Sequence, residues 1–413
     1  MSKTRLFLCF SKCSLAAALA GFALSPAALG QAPPTPSFEL IADYSTPVPG
    51  GSGNFSLFAD AKAIEGERVV FVGYDSGSGS GIYRFENGVL ERWVDENTQV
   101  PGTSDFFQIF FDVELDGGIV TFSGGWPGPG GGCAFSGSEG VFADRFQGGA
   151  LQVVSDSLSS VNHCYHGVAL DRGILAFAGG VDPVDVIHNH SESIMATTAP
   201  GTFQVVFDTT TASPSGGTFF GYDQDFVLRN GRIMFTEVLN NTFGAVAGVY
   251  TDYNDGFGPR LVADANTAIP GGSGNFKNFA GVDWDGDEVA FVGRDSGNAS
   301  ALYAGTSPSN LRVVVNTATP VPGETSNFLG ISNPIAYDDG VFVFSGYWAG
   351  GGYGLFAEAN GAVYSILKKG EILDGRVVEQ AFCKTQNKDG RRLLIEVRFQ
   401  PALSHRGLYL VRY

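Results

Sequence analysis

From residue 38 onward, short apolar runs alternate with clusters of glycine, proline, asparagine and aspartate. No stretch keeps the 3.6-residue spacing of an amphipathic helix. The runs instead show the alternation and the bounding turn residues of half-buried strands. One type of run recurs as FELIAD, LERWVD, LQVVSD, FQVVFD, PRLVAD and LRVVVN. A connection rich in proline and glycine follows it. TPVPGGSGNF begins at Thr46, AIPGGSGNF at Ala268 and TPVPGETSNF at Thr319, with looser forms from Gln99 and Ala212. A tight turn and an apolar strand come next, anchored at Phe71, Phe122, Phe177, Phe235, Phe291, Phe344 and Val397. The anchors are 51, 55, 58, 56, 53 and 53 residues apart. A third strand, as in GIYRF or GLFAEA, leads through a short turn to the next outer run.

Four short strands in a repeating period of about 50 residues define a β-propeller blade. Seven copies predict an all-β fold, a seven-bladed β-propeller of four-stranded antiparallel blades over residues 38–413. A pair of β-sandwiches is the runner-up, but sandwiches need no fixed internal period. FELIAD, from Phe38, is an outer strand with no partner before it, and GLYLVRY at the C-terminus is a third strand with no fourth. Pairing the N-terminal strand into the last blade removes both edges, so ring closure by that strand is expected.

The stretch DWDGDEVAF from Asp283 resembles the start of a calcium loop. Six other copies have a glycine or acidic turn at the same place, as in IEGERVVF and YDDGVFVF. A calcium loop of the EF type also needs a distal bidentate glutamate. The stretch is therefore read as a hairpin turn, where glycine and aspartate supply positive φ.

Composition agrees with many short strands: the chain has 58 glycines and 34 phenylalanines among 413 residues. The first thirty residues differ. Lys3, Arg5 and Lys12 precede an alanine-rich apolar run and a small-residue cleavage pattern, so residues 1–30 read as a secretory signal peptide and 31–37 as a linker. No later run is long enough to span a membrane as a helix. A secreted protein, periplasmic or extracellular, is expected, with no membrane insertion and a monomeric state. Without the three basic residues of the leader, 22 basic residues face 42 acidic ones, a charge of −20. Such a charge repels nucleic acid at long range. Of the three cysteines beyond the leader, Cys133 and Cys164 fall on one face of adjacent blades and are expected to form a disulfide. Cys383 is expected to be a buried free thiol.

In a four-stranded meander the blade-to-blade connections share a face with the loops between second and third strands. The tight turns lie on the other face. All five histidines fall on or beside that loop face: His163 and His166 in VNHCYHGVAL, His188 and His190 in DVIHNHSES, and His405 in QPALSHRG. Trp126, Trp348, Tyr222, Arg294, Arg398 and Arg406 share it, as does Tyr165. Departures from a repeat are where function is grafted. The paired histidines suit a divalent metal by ligand type, although no carboxylate motif accompanies them and no cofactor is otherwise indicated. They also suit general bases, with Tyr165 as acid and Arg294 neutralising a carboxylate. Trp126, Trp348, Tyr222, Arg398, His405 and Arg406 suit ligand binding. No GxSxG elbow, Walker loop or HExxH stretch is present.

The repeated VADxxTPVPGG...NF unit resembles that of secreted bacterial β-propeller repeat proteins of undefined activity. The histidine, tyrosine and arginine set is similar in kind to that of propeller-type polysaccharide lyases, including ulvan lyases. No motif aligns with theirs residue by residue, so no site is carried over. The resulting expectation is a binding face for a glycan or an extracellular, cell-surface protein. The alternatives are a polysaccharide lyase or hydrolase using that face, and a structural envelope protein.

Overall fold

The computed structural model describes residues 35–77, 79–128, 137–145, 148–156, 164–180, 193–199, 202–219, 222–238, 246–252, 258–383, 388–401 and 405–413. Every described element is a strand. Six sheets are four-stranded antiparallel meanders, each built from consecutive strands. Their inner strands are Phe55–Glu65, Ile109–Asp116, Cys164–Asp171, Tyr222–Arg229, Asn278–Asp285 and Phe328–Asp338. The seventh blade contains Arg376–Phe382, Arg392–Phe399 and Arg406–Arg412, and its outer strand is Ser37–Asp43 from the N-terminus. That strand pairs antiparallel with Arg406–Arg412, from Ser37↔Arg412 to Asp43↔Gly407. The ring of seven blades is closed as the unpaired terminal strands required.

The recurrent Asp-x-x-Thr has a local explanation. At the ends of four of the outer strands Asp43, Asp95, Asp208 and Asp264 accept a hydrogen bond from the hydroxyl of the threonine three residues on, at 2.8–3.2 Å. The threonine amide closes the turn on the aspartate carbonyl at 2.9–3.0 Å. Asn316 and Thr319 repeat the arrangement. Such side-chain turns stop a strand and redirect it. The proline–glycine stretch then folds on itself through the bridges Pro47↔Asn54, Gln99↔Phe106, Ala212↔Thr218, Ala268↔Asn275 and Pro320↔Asn327.

Each fold-back delivers a phenylalanine into a blade core. Phe55, Phe107, Phe219, Phe276 and Phe328 stand edge-on to the third-strand rings of Tyr83, Phe142, Tyr250, Tyr303 and Phe356, at 4.8–5.1 Å between centroids. The anchor phenylalanines stack on the same third-strand rings. Edge-to-face and offset contacts are the preferred aromatic geometries, and this cluster accounts for the abundance of phenylalanine. The glycine two residues beyond the anchor makes room for it. A Cβ on Gly293 would stand 2.5 Å from Phe276, and one on Gly346 would stand 2.5 Å from Phe328.

The tight turns carry the predicted positive φ. In the Asn230–Gly231 turn both residues lie there, at 55° and 70°, which is the twist that two-residue hairpins need. Ion pairs reinforce the seam of the ring. Arg392 and Arg412 in blade 7 both pair with Glu67 in the first turn of blade 1, and Arg412 also holds Glu39 of the closing strand. Hydrogen bonds from the two arginines bring the Glu67 carboxyl down to about 2. Its contribution to stability is therefore present above its ordinary range near 4.5 and is lost as pH falls through about 2.

Candidate functional site

The two faces of the ring are built differently. On the turn face, the acid ending one inner strand accepts a hydrogen bond from a backbone amide in the turn of the next blade. Glu65 receives Gly118, Asp116 receives Arg172, Asp171 receives Gly231, Asp285 receives Gly340 and Asp338 receives Gly390. In blade 7 the acid is Asp389, in the short strand Lys388–Asp389 before the turn, and it receives Gly66. The DWDGDEVAF stretch is thus a hairpin, as expected. Its Asp285 also latches blade 5 to blade 6. Asp283 is fully buried and accepts from the Trp284 and Tyr337 amides, each at 2.8 Å. Both oxygens of Asp283 are committed to the protein.

Blade 4 has Arg229 where the other inner strands end in an acid. Its guanidinium donates to the carbonyls of Trp284 and Tyr337 at 3.2 and 3.0 Å and to Asp338 Oδ1 at 3.2 Å. It lies 3.8 Å from Asp283. Lys388, also buried, donates to the Asp338 and Gly390 carbonyls, and burial pulls its ammonium down to about 8. Among the described residues no group of three or more His, Cys, Asp or Glu side chains is placed to hold a metal ion.

Glu114 lies two residues before the end of its inner strand, the position Asp283 takes in blade 5. Burial pushes its carboxyl well above the usual range, Asp112 adds to the shift, and Arg229 opposes it. A raised folded value means that Glu114 contributes stability below about pH 4.5, its unfolded range, and loses it as pH rises through the folded value. Glu114→Gln is therefore expected to raise the melting temperature at pH 8 and to leave it nearly unchanged at pH 4.5. Each unit between the two pKa values corresponds to about 1.4 kcal/mol, or roughly 2 °C for a large domain. Thermal denaturation of both proteins at the two pH values checks this, and an equal shift at both would contradict it.

On the loop face the sequence candidates separate into groups. His163, His188, His190 and Cys133 lie outside the described residues, as do the side chains of His166, Tyr222 and Cys164. Tyr165 is 1% exposed; its hydroxyl lies 2.8 Å from Ser155 Oγ and its amide donates to Glu139. Trp126 and Trp348 are buried on the third-strand rings Phe142 and Phe356. They belong to the blade cores and present no ring to a ligand, because the strand carries them inward beside the aromatic cluster. Arg294 ends the second strand of blade 5, two blades away from Arg398 and Arg406. Those two pair across the last hairpin of blade 7, with His405 exposed beside them.

Arg398 and Arg406 converge on two residues that local sequence did not single out. Glu396 is 2% exposed, and Lys62 of blade 1 reaches it across the closure seam at 3.5 Å. Arg406 donates to the same carboxylate at 3.1 Å and Arg398 Nε stands 3.9 Å away. An apolar run interrupted by a lysine, FADAKAIE, and a strand with alternating charges, IEVRF, were the available signals. Cys383 is buried and free, and burial pushes its thiol up to about 12.

Seven antiparallel blades in a closed ring make this protein a β-propeller. It belongs to the family of unknown function DUF7453, whose family model matches residues 116–389. A search of curated proteins finds no match. Among solved structures it is similar to the β-propeller domain of the trilobed protease from Pyrococcus furiosus. That likeness covers 86% of this chain and 95% of the other, at 12% identity and a TM-score of 0.49. The S511A mutant of puromycin hydrolase is similar over 84% of this chain and 50% of its own, at 12% identity and a TM-score of 0.48. Trypanosoma rangeli sialidase is similar over 92% and 59%, at 10% identity and a TM-score of 0.39. This chain therefore spans about half to three-fifths of the last two. Likeness at such identity concerns the fold and leaves the activity open.

Proposed function

We propose that this chain is an exported propeller whose loop face is a binding surface for a glycan or a cell-surface protein. One observation carries the reading. Among the described residues, five of the eight exposed large apolar side chains lie toward the loop face: Leu57, Leu329 and Tyr347 near the loop-face ends of their strands, and Phe106 and Ile372 in blade-to-blade connections. Exposed apolar groups gathered on one side mark interaction surfaces. The turn face offers latched amides and short turns instead. Phe106 also borders an open hollow of about 640 Å³ lined by Glu96, Asp105, Gln108 and Pro127.

The test is a glycan array and a pull-down from cell-surface extract with the parent chain, followed by variants. The combined Leu57→Ser, Phe106→Ser, Leu329→Ser protein should lose the ligand that the parent captures and keep its cooperative melt. Asp287→Ala on the turn face should bind as the parent does. Retained binding in the triple variant, or loss in the turn-face variant, rejects the loop face as the binding surface.

A further inference from the structure

We infer that the seam between blades 7 and 1, on the loop face, is a carboxylate-binding site that takes the uronate group of an acidic glycan. The inference rests on the loop-face reading above and names a ligand class for it. Three cations, Lys62, Arg398 and Arg406, surround the single carboxylate of Glu396. The cluster holds a formal charge of +2 inside a chain of −17. The whole-molecule charge acts over distances that salt screens beyond about 8 Å, so contact with the local cations decides binding.

The arginines are the groups that a ligand can reach. Lys62 and Glu396 are closed off, with side chains 4% and 2% exposed, whereas Arg398 and Arg406 retain 27% and 21%. Among the described residues the Arg398 side chain makes no hydrogen bond, and its Nε is buried without a hydrogen-bond partner. The guanidinium lies over the Phe382 ring at 4.6 Å, and with Nε buried the two terminal nitrogens of this partly exposed side chain are the edge that a ligand can meet. A guanidinium edge pairs with a carboxylate through two parallel hydrogen bonds. Phe382 and Tyr44 are both half-buried at the same seam, and the Tyr44 amide donates to the Arg406 carbonyl. Flat apolar rings beside fixed cations match a hexuronate, whose carboxylate extends from a ring with an apolar face.

The experiment is isothermal titration of the full-length chain with tetragalacturonate, its methyl ester, a sulfated neutral tetrasaccharide and an aspartate-rich peptide. Tetragalacturonate should bind at least about tenfold more tightly than the ester, since esterification removes the charge that the guanidinium pairs with. Arg398→Gln should remove about the same factor, and Arg398→Lys, which keeps the charge without the fork, should fall between. The Arg398 side chain makes no hydrogen bond, so its variants should fold even if Arg406→Gln does not. Equal affinity for the ester, or unchanged affinity in Arg398→Gln, overturns the site. Tighter binding of the sulfated sugar or of the peptide overturns the uronate assignment. If a neutral glycan binds and no acidic one does, the seam site fails and the loop-face reading stands. If none of the four binds, the seam site fails, and the loop-face reading is decided separately by the glycan array and the pull-down.

Discussion

A chain lacking Phe38–Asp43 is expected to lose its cooperative melt and to aggregate. The deleted residues supply almost all of the strand that pairs with Arg406–Arg412. Without them the amides and carbonyls along that strand become an open edge, which invites pairing with other chains. Packing is lost as well. Ile41 and Ala42 are buried with Leu394, Leu408 and Leu410 of blade 7 and with Phe55 and Phe58 of blade 1, so they join the two ends of the ring. Phe38 packs on the core of blade 7. Burying a large apolar side chain contributes about 1.5–3 kcal/mol, and domains have about 5–15 kcal/mol in total. The ion pairs Arg376–Asp43 and Arg412–Glu39 go with the strand. Thermal melts and light scattering of the truncated chain decide the matter. A melting temperature within error of the parent would show that the closing strand is dispensable.

Arg229→Ala is expected to cost about 3–5 kcal/mol, the penalty of leaving buried charge without its partner. Its guanidinium ties blade 4 to carbonyls in blades 5 and 6 and offsets the fully buried Asp283. Burial already raises the Asp283 carboxyl, and Arg229 is the first influence that lowers it. Removing the arginine strengthens the preference for the protonated acid. A folded pKa above the unfolded one stabilises below the unfolded value and is lost as pH rises through the folded value. The variant should thus fall further behind the parent at pH 8 than at pH 5. Denaturant titrations of both proteins at the two pH values test this; a pH-independent deficit would mean that Asp283 does not depend on Arg229.

Much of the architecture was legible because it is encoded locally. Alternation, positive-φ turn residues and a fixed period act within one blade, so blade number, strand order and the hairpin at Asp283–Phe291 could be read directly. The closing strand followed from two unpaired ends. Other roles were misjudged for equally physical reasons. Trp126 and Trp348 lie at strand ends where sequence suggests a loop, yet the aromatic cluster draws them into the core. The phenylalanine of each GNF-type segment reads as loop, but the fold-back of the preceding proline–glycine stretch turns it inward.

What the chain determined by itself, then, is everything that neighbouring residues settle among themselves: strands, turns, the Asp-x-x-Thr redirection and the repeat that sets seven blades. Tertiary structure alone decided which charges meet. Lys62 and Glu396 are 334 residues apart and come together only because the ring closes. Arg229 finds Asp338 two blades away, across 109 residues, because the inner strands converge. Hydrogen bonds and ion pairs of this kind depend on separations of a few ångströms between distant segments, and curvature around a closed ring brings those segments together.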